Sequence, residues 1–413
     1  MAKLHKISNG VYLDYAATTP VDKRVIKAME PYLFEKPGNT MSLHSFGQEA
    51  KLALENSRQI LADLINAQRP ASGYPEIIFT SSASESNNLA LKGIAFANKS
   101  KGDHIIISSI EHPCIMESAK WLEKQGFEIT KLPVDKYGLV NPQDVRNAIT
   151  AKTILVSIIH ASNEIGTIEP IAEIGKICRE KGVYFHTDAS QSFGKILINV
   201  KKMNIDLLTA SSHKIYGPKG AGLLYIRSGV KIDPILHGGG QENGLRGSTV
   251  NVPAIVGFAK AVEICKKPDK SQGYFDGPAP ISPRASLGGE NARLIKLRDK
   301  LIKNVLKIKG AHLTGHPTKR LANNVSFWFE FVEGESLIMR LDLEGIACST
   351  GSACSSFKLE PSEVLLATGL KPQEAHGSLR VSLGRFTTEK EIDKLIKVLP
   401  GIVEKIRKIS PYK

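Results

Sequence analysis

Short apolar runs alternate with helical patterns between residues 76 and 226. The apolar runs cover residues 77–80, 105–108, 154–159, 183–187, 207–209 and 223–226. Between them, residues 115–125 and 171–181 place apolar side chains at helical spacing. Continuous apolar strands joined by helical crossovers predict a mostly parallel sheet covered on both faces. We therefore expect a large α/β domain over residues 21–264, which also includes a predicted helix at residues 48–66.

The pattern changes after residue 264. Residues 266–290 contain four prolines and four glycines, which exclude a continuous helix and predict an exposed loop. A helix is predicted at 291–309, a strand at 324–329, a helix at 335–343, a small-residue loop at 348–356, a strand at 378–383 and a helix at the end. These elements predict a smaller α+β domain made of residues 1–20 and 265–413, as a chain of 413 residues exceeds one simple core.

Composition and charge narrow the class of protein. An apolar content of 42% with 23% charged residues is typical of a soluble globular protein. The net charge of +14 raises nucleic-acid binding as an alternative, but the lysines are dispersed and no recognition motif accompanies them. We expect a solvated basic surface and no nucleic-acid partner.

Targeting and redox features point to the cytoplasm. No apolar run approaches the roughly 18 residues of a membrane span, and the N-terminus lacks the apolar region of a secretory signal. The five cysteines are odd in number and form no CxxC pair, which argues against a disulfide framework and a structural zinc site. We expect a cytoplasmic protein with no membrane partner and no metal.

The stretch DLLTASSHKIYGPKGAG, residues 206–222, places Lys214 where a strand gives way to a loop rich in glycine. Burial there lowers the pKa of an amine and frees its lone pair to attack a carbonyl, as a Schiff-base lysine requires. Ser211 and His213 beside it have groups suited to a phosphate. A surface lysine beside a turn is the alternative, and this stretch alone favours that alternative.

A second anion site is predicted where residues 77–80 run into SSASESNN and a helical pattern. Unpaired backbone N–H groups and the helix dipole attract a phosphate there, with Ala83 and Ser84 in position to hold it. An ordinary helix cap is the alternative.

Asp188 ends an apolar strand in HTDASQS, and ligands of open α/β sheets bind outside such strand ends. Its carboxylate can keep the pyridinium nitrogen of pyridoxal phosphate protonated, and Gln191 can reach the phenolic oxygen of that ring. His112, in SIEHPC, can stack on the ring. A helix cap for Asp188 and a structural hydrogen bond for His112 stay open.

Two residues near the C-terminus suggest substrate chemistry. Cys354 lies among small residues in CSTGSACSS, as a nucleophile that travels to its substrate would, whereas Cys348 has apolar neighbours and is expected in the core. Arg380, in GSLRVSLGR, can pair with a substrate carboxylate. A thiol without a role and an ordinary salt bridge are the alternatives.

Taken together, these motifs resemble the cysteine desulfurases, pyridoxal-phosphate enzymes of the class-V aminotransferase superfamily, and most closely the branch that supplies iron–sulfur cluster assembly. The likeness runs from residue 12 to residue 387, outside 266–290. It rests on motifs in the same order: LDYAATTP, TSSASESNN, EHP, NEIG, TDASQS, SSHKIYGPKG, HGGGQENGLRGST, NNVSF, GSACSS and LRVSLGR.

The resemblance implies a fold-type I enzyme and a role for each matching residue. Lys214 would carry the cofactor and move the substrate α-proton, and Cys354 would take the sulfur of L-cysteine as a persulfide, leaving L-alanine. Arg380 would bind the substrate carboxylate. The cofactor would be held by Ala83, Ser84, His112, Asn163, Asp188, Gln191, Ser211, His213 and, in the partner subunit of a homodimer, Thr249; Asn163 would also contact substrate.

The implied partners are a second copy of the chain and an iron–sulfur scaffold or other sulfur acceptor, which can also receive a cluster through Cys354. Three rival functions are compatible with parts of the sequence. The first is a class-V aminotransferase or selenocysteine lyase, and the thiol loop argues against transamination, which has no use for Cys354. The second is a non-enzymatic scaffold or sulfur-relay protein, which predicts a missing lysine or aspartate, whereas Lys214 and Asp188 are both present. A dinucleotide-binding oxidoreductase, suggested by residues 237–244, lacks the GxGxxG spacing.

Overall fold

The computed structural model describes residues 10–67, 76–265, 289–351 and 360–410. Within these ranges the strands are β1 Val11–Tyr12, β2 Ile77–Thr80, β3 His104–Ser108, β4 Glu128–Leu132, β5 Thr153–Ser157, β6 Tyr184–Asp188, β7 Leu207–Ser211, β8 Gly222–Ile226, β9 Ala311–Thr314, β10 Asn324–Phe329, β11 Ile346–Ala347 and β12 Ser378–Ser382. The helices are α1 Lys23–Leu33, α2 Ser45–Leu64, α3 Ala83–Asn88, α4 Ile94–Ala97, α5 Pro113–Glu123, α6 Pro142–Ala148, α7 Ile171–Lys181, α8 Val252–Cys265, α9 Gly289–Val305, α10 Gly334–Leu343, α11 Glu363–Ala367, α12 Pro372–His376 and α13 Glu389–Ile409. A π-helical segment, Leu89–Gly93, joins α3 to α4, and 3₁₀ turns lie at Ser212–Lys214 and Gln241–Gly244.

The main sheet has the strand order β2-β8-β7-β6-β5-β3-β4. Strands β7, β6, β5, β3 and β4 run parallel, while β8 is antiparallel to both β2 and β7. This arrangement confirms the predicted α/β class with its mostly parallel sheet. The carboxyl ends of the parallel strands therefore meet at one edge, where the candidate site lies.

Both faces of this sheet are buried, which explains why its strands are apolar without alternation. In β8, Leu223 and Tyr225 join one apolar cluster, and Leu224 and Ile226 join the cluster on the opposite face. Each such side chain stabilises the fold by about 1.5–3 kcal/mol on burial. The first cluster also takes in α7 and α8, and the second takes in α5.

A second unit of structure follows α8. Strands β12, β10 and β9 form an antiparallel sheet, and β1 pairs with β11 in parallel. Side chains from this sheet, α9, α10 and α13 share a third apolar cluster that includes Leu301, Phe327, Leu341 and Leu395. The domain boundary near residue 264 stays a prediction.

Several bounds differ from the sequence-based expectation. Helix α9 begins at Gly289, so the last two residues of the predicted loop 266–290 are helical; the rest of that loop lies outside the described residues. Helix α2 begins at Ser45 rather than at residue 48, because the His44 side chain accepts a hydrogen bond from the Gly47 N–H at 3.3 Å and caps the helix. Strand β4 escaped prediction because it is a polar edge strand, buried at Leu132 alone.

The described residues show neither a membrane-spanning helix nor a cluster of metal-binding side chains. None of the helices described here has the length and apolarity needed to cross a membrane. Over the same residues, no group of three or more His, Cys, Asp or Glu side chains is arranged to hold a metal ion.

Candidate active site

Polar side chains gather at the carboxyl edge of the main sheet. Asp188 is the last residue of β6, Ser211 is the last residue of β7, and His112 follows β3. Ser82 and Ala83 follow β2, whose neighbour is β8. The convergence follows from topology, because parallel strands end on the same side of the sheet.

Asp188 is almost fully buried and strongly hydrogen-bonded. Its Oδ1 accepts from the Ser190 N–H at 2.9 Å and from the Ser190 hydroxyl at 2.5 Å. Its Oδ2 accepts from Asn87 Nδ2 at 2.7 Å. Asp188 therefore lies at the predicted strand end, with both carboxylate oxygens accepting hydrogen bonds.

His112 caps α5. Its Nδ1 accepts the Cys114 backbone N–H at 3.2 Å, so the neutral ring carries its proton on Nε2. Burial lowers the pKa of His112, while the charge of Asp188 raises that pKa and the charge of Lys214 lowers it further. The structural hydrogen bond predicted as the alternative is thus present, and the same ring also lies within reach of both charges.

Lys214 ends the 3₁₀ turn after β7. Its Nζ donates to the carbonyl oxygens of Ala16 at 2.6 Å and Ala17 at 2.8 Å. Gln191 Nε2 donates to the same Ala16 oxygen at 2.9 Å. The half-buried Lys214 therefore lies inside the fold, against the loop after β1, and is not the surface lysine of the alternative interpretation.

The backbone beyond Lys214 is held in a strained shape. Tyr216 has a φ of +68°, in the left-handed region that non-glycine residues rarely adopt. Its N–H donates to Thr19 Oγ1 at 2.8 Å, and the Arg385 guanidinium lies 4.2 Å from its ring centre. Gly217 follows it in a crowded place, because a Cβ there would lie 2.0 Å from Ser212 Oγ and 3.0 Å from the Ser212 carbonyl oxygen. Packing against Ser212 therefore explains why a glycine stands at position 217.

The two predicted anion-binding segments flank this turn. Ser82 caps α3 by accepting from the Glu85 N–H at 3.2 Å, so the helix N-terminus begins at Ala83 with Ser84 exposed. Ser211 is buried, and burial together with the charges of nearby lysines lowers the pKa of His213 to about 4. A neutral His213 can donate to an anion from one ring nitrogen while Nδ1 lies 3.1 Å from Thr18 Oγ1.

Thr249 lies beside the turn that leads into α3. It is exposed and lines a cavity of about 200 Å³ together with Ser81, Gly220 and Arg246. The described contacts do not bring it to Lys214.

Arg380 is buried in β12, which excludes the surface salt bridge. Its Nη2 contacts Asp14 Oδ1 at 3.0 Å, and its Nη1 donates to the Asn163 carbonyl at 3.3 Å. Its Nε has no hydrogen-bond partner in the described structure. Arg380 and Asn163 are thus adjacent, and the guanidinium keeps donor capacity.

Of the two cysteines discussed above, Cys348 is buried in the third apolar cluster, as expected. Cys354 lies outside the described residues.

Sequence reasoning missed Asn87, Ser190 and Cys114. Asn87 lies in the SESNN part of the quoted motif, three residues after Ser84, a spacing that places both on one helix face. That spacing was the available signal. Its contact with Asp188, 101 residues away, could not be read from local sequence.

The chain is similar to known proteins over nearly its whole length. The family model described as Aminotransferase class-V matches residues 11–272 and 287–395. The cysteine desulfurase IscS of Methanosarcina thermophila is 52% identical over 404 residues, which cover 98% of this chain and 94% of that protein.

Solved structures of similar proteins have the same fold as this chain. A NifS-like protein superimposes with a TM-score of 0.82 at 36% identity, covering 97% of this chain and 99% of that one. SspA in complex with cysteine superimposes with a TM-score of 0.75 at 37% identity, covering 92% of this chain and all (100%) of that one. The chain therefore belongs to the class-V aminotransferase family and, within it, to the cysteine desulfurases.

Proposed function

We propose that this enzyme binds pyridoxal phosphate on Lys214 and transfers the sulfur of L-cysteine to Cys354. The observation that carries the proposal is the position of Lys214, Asp188 and His112 at one edge of the main sheet: Asp188 ends β6, Lys214 ends the turn after β7, and His112 lies in the connection after β3. A lysine that binds a carbonyl and an anion that pairs with a pyridinium nitrogen are the two groups that this cofactor needs.

The residues present fit the cofactor. A buried polar atom at the site, Gln191 Oε1, has no hydrogen-bond partner in the described structure. An unpaired buried polar atom is costly, so Gln191 supports a bound polar ligand. Ser211, His213 and the start of α3 would hold the phosphate, Asp188 and Gln191 the ring atoms, and His112 the ring face. When bound, pyridoxal phosphate supplies an electron sink that makes the bonds at an amino-acid α-carbon labile.

The protein's own residues then account for the remaining chemistry. Arg380 would orient cysteine through its carboxylate, and Lys214 Nζ would move the α-proton. The Cys354 thiolate would attack the substrate sulfur, so an S–S bond forms while the C–S bond breaks. The sulfur is oxidised to a persulfide, the β-carbon is reduced to a methyl group, and L-alanine leaves; no external oxidant or reductant is needed.

The direct test is formation of alanine from cysteine in the presence of pyridoxal phosphate and a thiol reductant. Lys214→Ala should abolish alanine formation, and Cys354→Ala should abolish persulfide-mediated turnover while the cofactor stays bound. Lys176→Ala, an exposed lysine on α7, is the matched control and should keep full activity. Undiminished alanine formation by Cys354→Ala would contradict the persulfide step, and amino transfer to a 2-oxo acid would favour the aminotransferase alternative.

We also propose a homodimer. Large apolar side chains are exposed around α1 and the start of α2, which is unusual for a monomer of this kind: Leu33, Phe34, Met41, Leu43 and Phe46. A second copy covering this face would also bring an exposed Thr249 to the partner subunit's site. Phe34→Glu with Leu43→Glu should shift the mass measured by light scattering from dimer to monomer; an unchanged mass would contradict the proposal.

The cellular setting is part of the same proposal. Among the described residues Cys114, Cys178, Cys265 and Cys348 are free thiols, which suits a reducing compartment such as the cytoplasm. The sulfur acceptor would be an iron–sulfur scaffold or another protein thiol. Transfer of ³⁵S from labelled cysteine through Cys354 to a purified scaffold tests this, and label that stays on the enzyme would contradict it.

A further inference from the structure

Asn87 lies beneath the candidate active site with no exposure to solvent. Its side chain extends from α3 to two groups of the site. Nδ2 donates to Asp188 Oδ2 at 2.7 Å and to Cys114 Sγ at 3.1 Å. Both amide hydrogens are therefore used at the site. Its Oδ1 has no hydrogen-bond partner in the described structure.

The hydrogen bonds of Asp188 show why this contact matters. Each carboxylate oxygen offers about two acceptor positions. Oδ1 uses both for Ser190, through its N–H at 2.9 Å and its hydroxyl at 2.5 Å. Oδ2 accepts from Asn87 and keeps one position. The free acceptor position of Asp188 is thus on the oxygen that Asn87 holds.

The second hydrogen of Asn87 extends the network to His112. Cys114 Sγ lies 3.0 Å from His112 Nδ1, which already accepts the Cys114 N–H and so acts as an acceptor. Burial raises the pKa of Cys114 to about 12, which keeps the thiol protonated, so the S–H and the backbone N–H of Cys114 can share the one lone pair of Nδ1. A continuous chain of hydrogen bonds therefore joins Asp188, Asn87, Cys114 and His112.

We propose that Asn87 is a positioning residue for the cofactor ring: it aims Asp188 Oδ2 at the pyridinium nitrogen and, through Cys114, fixes His112 against the ring face. This inference rests on the proposed function and deepens it. Cys114 is the intermediate member and Ser190 fixes the other oxygen. The role is indirect, because Asn87 acts through Asp188 and His112.

The chain offers a matched control in Asn98. It is also buried, it follows α4 in the same helical run, and its Nδ2 donates to the Ile94 carbonyl at 2.9 Å and the Lys231 carbonyl at 3.0 Å. Its Oδ1 likewise has no partner in the described structure. The difference is that its partners are neutral carbonyls away from Asp188. A substitution there costs the fold similar interactions and leaves the site intact.

The experiment measures cofactor binding apart from turnover. Pyridoxal phosphate is titrated into five apo-proteins: the wild type, Asn87→Ala, Asn87→Asp, Asn98→Ala and Asn98→Asp. The dissociation constant and the pH dependence of the visible absorbance band are recorded for each. Loss of a hydrogen bond to a charged group should raise the dissociation constant of Asn87→Ala by about tenfold or more. Asn87→Asp places a second carboxyl against Asp188, so it should also move the pH midpoint of the band. Cys114→Ala should give a smaller change in the same direction.

The Asn98 variants should bind the cofactor within about twofold of the wild type, even where their thermal midpoints fall as much as those of the Asn87 variants. Wild-type affinity and spectrum in Asn87→Ala would overturn the inference, as would equal effects at Asn98. A wild-type protein that binds no pyridoxal phosphate would overturn the proposed function and this inference with it. Normal binding by the wild type with unaffected Asn87 variants would overturn the inference alone.

Discussion

Two buried arginines, Arg58 and Arg380, use their charge in different ways. Arg58 grips Glu242 with two hydrogen bonds, at 2.8 and 2.9 Å, and donates to the Ile77 carbonyl at 2.7 Å. Glu242 also accepts the Phe79 N–H at 2.7 Å, and the Phe79 ring lies 4.8 Å from the guanidinium. Donors and acceptors of this pair are matched with each other and with the backbone.

Arg380 lacks that match. It has one contact to Asp14 and one to the Asn163 carbonyl, and its Nε has no partner in the described structure. Buried charge is costly unless its hydrogen-bonding groups are satisfied. The difference indicates that the Arg58 pair serves the fold, whereas Arg380 keeps capacity for a further anion, which in our proposal is the substrate carboxylate.

The largest expected effect comes from breaking the ion pair between Arg58 and Glu242. Arg58→Met leaves Glu242 buried without its cation, and removing one partner of such a pair costs about 3–5 kcal/mol. Urea unfolding should show this loss in free energy, while the folded fraction keeps its cysteine turnover. The double variant Arg58→Met/Glu242→Leu should recover most of the stability. A single-variant loss below about 1 kcal/mol would contradict a structural role.

The converse change is Arg380→Gln, which should lower kcat/KM for cysteine by about a hundredfold because a bidentate carboxylate contact is lost. Its free energy of unfolding should change less than that of Arg58→Met. The fall should appear mainly as a higher KM, with cofactor affinity unchanged. An equal fall in stability with unaltered kinetics would place Arg380 in the same class as Arg58.

A smaller effect concerns a buried carboxyl, Glu111, which forms no ion pair with any residue that the structure describes. Glu111 Oε1 accepts from Ser108 Oγ at 2.5 Å and from the Ile159 N–H at 2.8 Å, and burial raises its pKa from 4.5 to about 8. Because the folded protein holds this proton more tightly than the unfolded chain does, its contribution to stability is complete below pH 4.5 and is lost as pH rises through 8.

Glu111→Gln removes that titration. Between pH 5 and pH 8, the wild type should lose on the order of 3 kcal/mol more stability than the variant does. Urea midpoints measured across this range provide the test. Parallel pH profiles for the two proteins would show that Glu111 does not change its protonation on unfolding.

Sequence patterns foretold most of the large sheet because its strands are buried on both faces. The apolar run at 223–226 is the clearest case, with alternate residues of β8 serving opposite clusters. Strand β4 could not be read the same way, since Glu128 and Lys131 make it look like a loop. Its place is set by pairing with β3, which is a tertiary contact.

The candidate site likewise has residues that the sequence predicts and residues that only the folded structure reveals. Asp188 ends β6, and Lys214 and His112 follow the ends of β7 and β3, so topology makes their convergence predictable. Asn87 contacts Asp188, 101 residues away in the sequence, and Asp14 contacts Arg380, 366 residues away. Local sequence patterns cannot predict contacts between residues so far apart. The unmatched polar atoms that distinguish Arg380 from Arg58 likewise appear only once the chain is folded.

In our proposal, Lys214 carries the cofactor. Borohydride reduction of the cofactor-loaded protein, followed by proteolysis and mass spectrometry, identifies the lysine that bears the pyridoxyl group. The alternative carrier is Lys195, whose buried Nζ has no hydrogen-bond partner in the described structure. Burial and the charge of Lys214 lower the pKa of Lys195 to about 8. We predict the modification on Lys214 alone; a pyridoxyl group on Lys195, or on neither residue, would contradict the account.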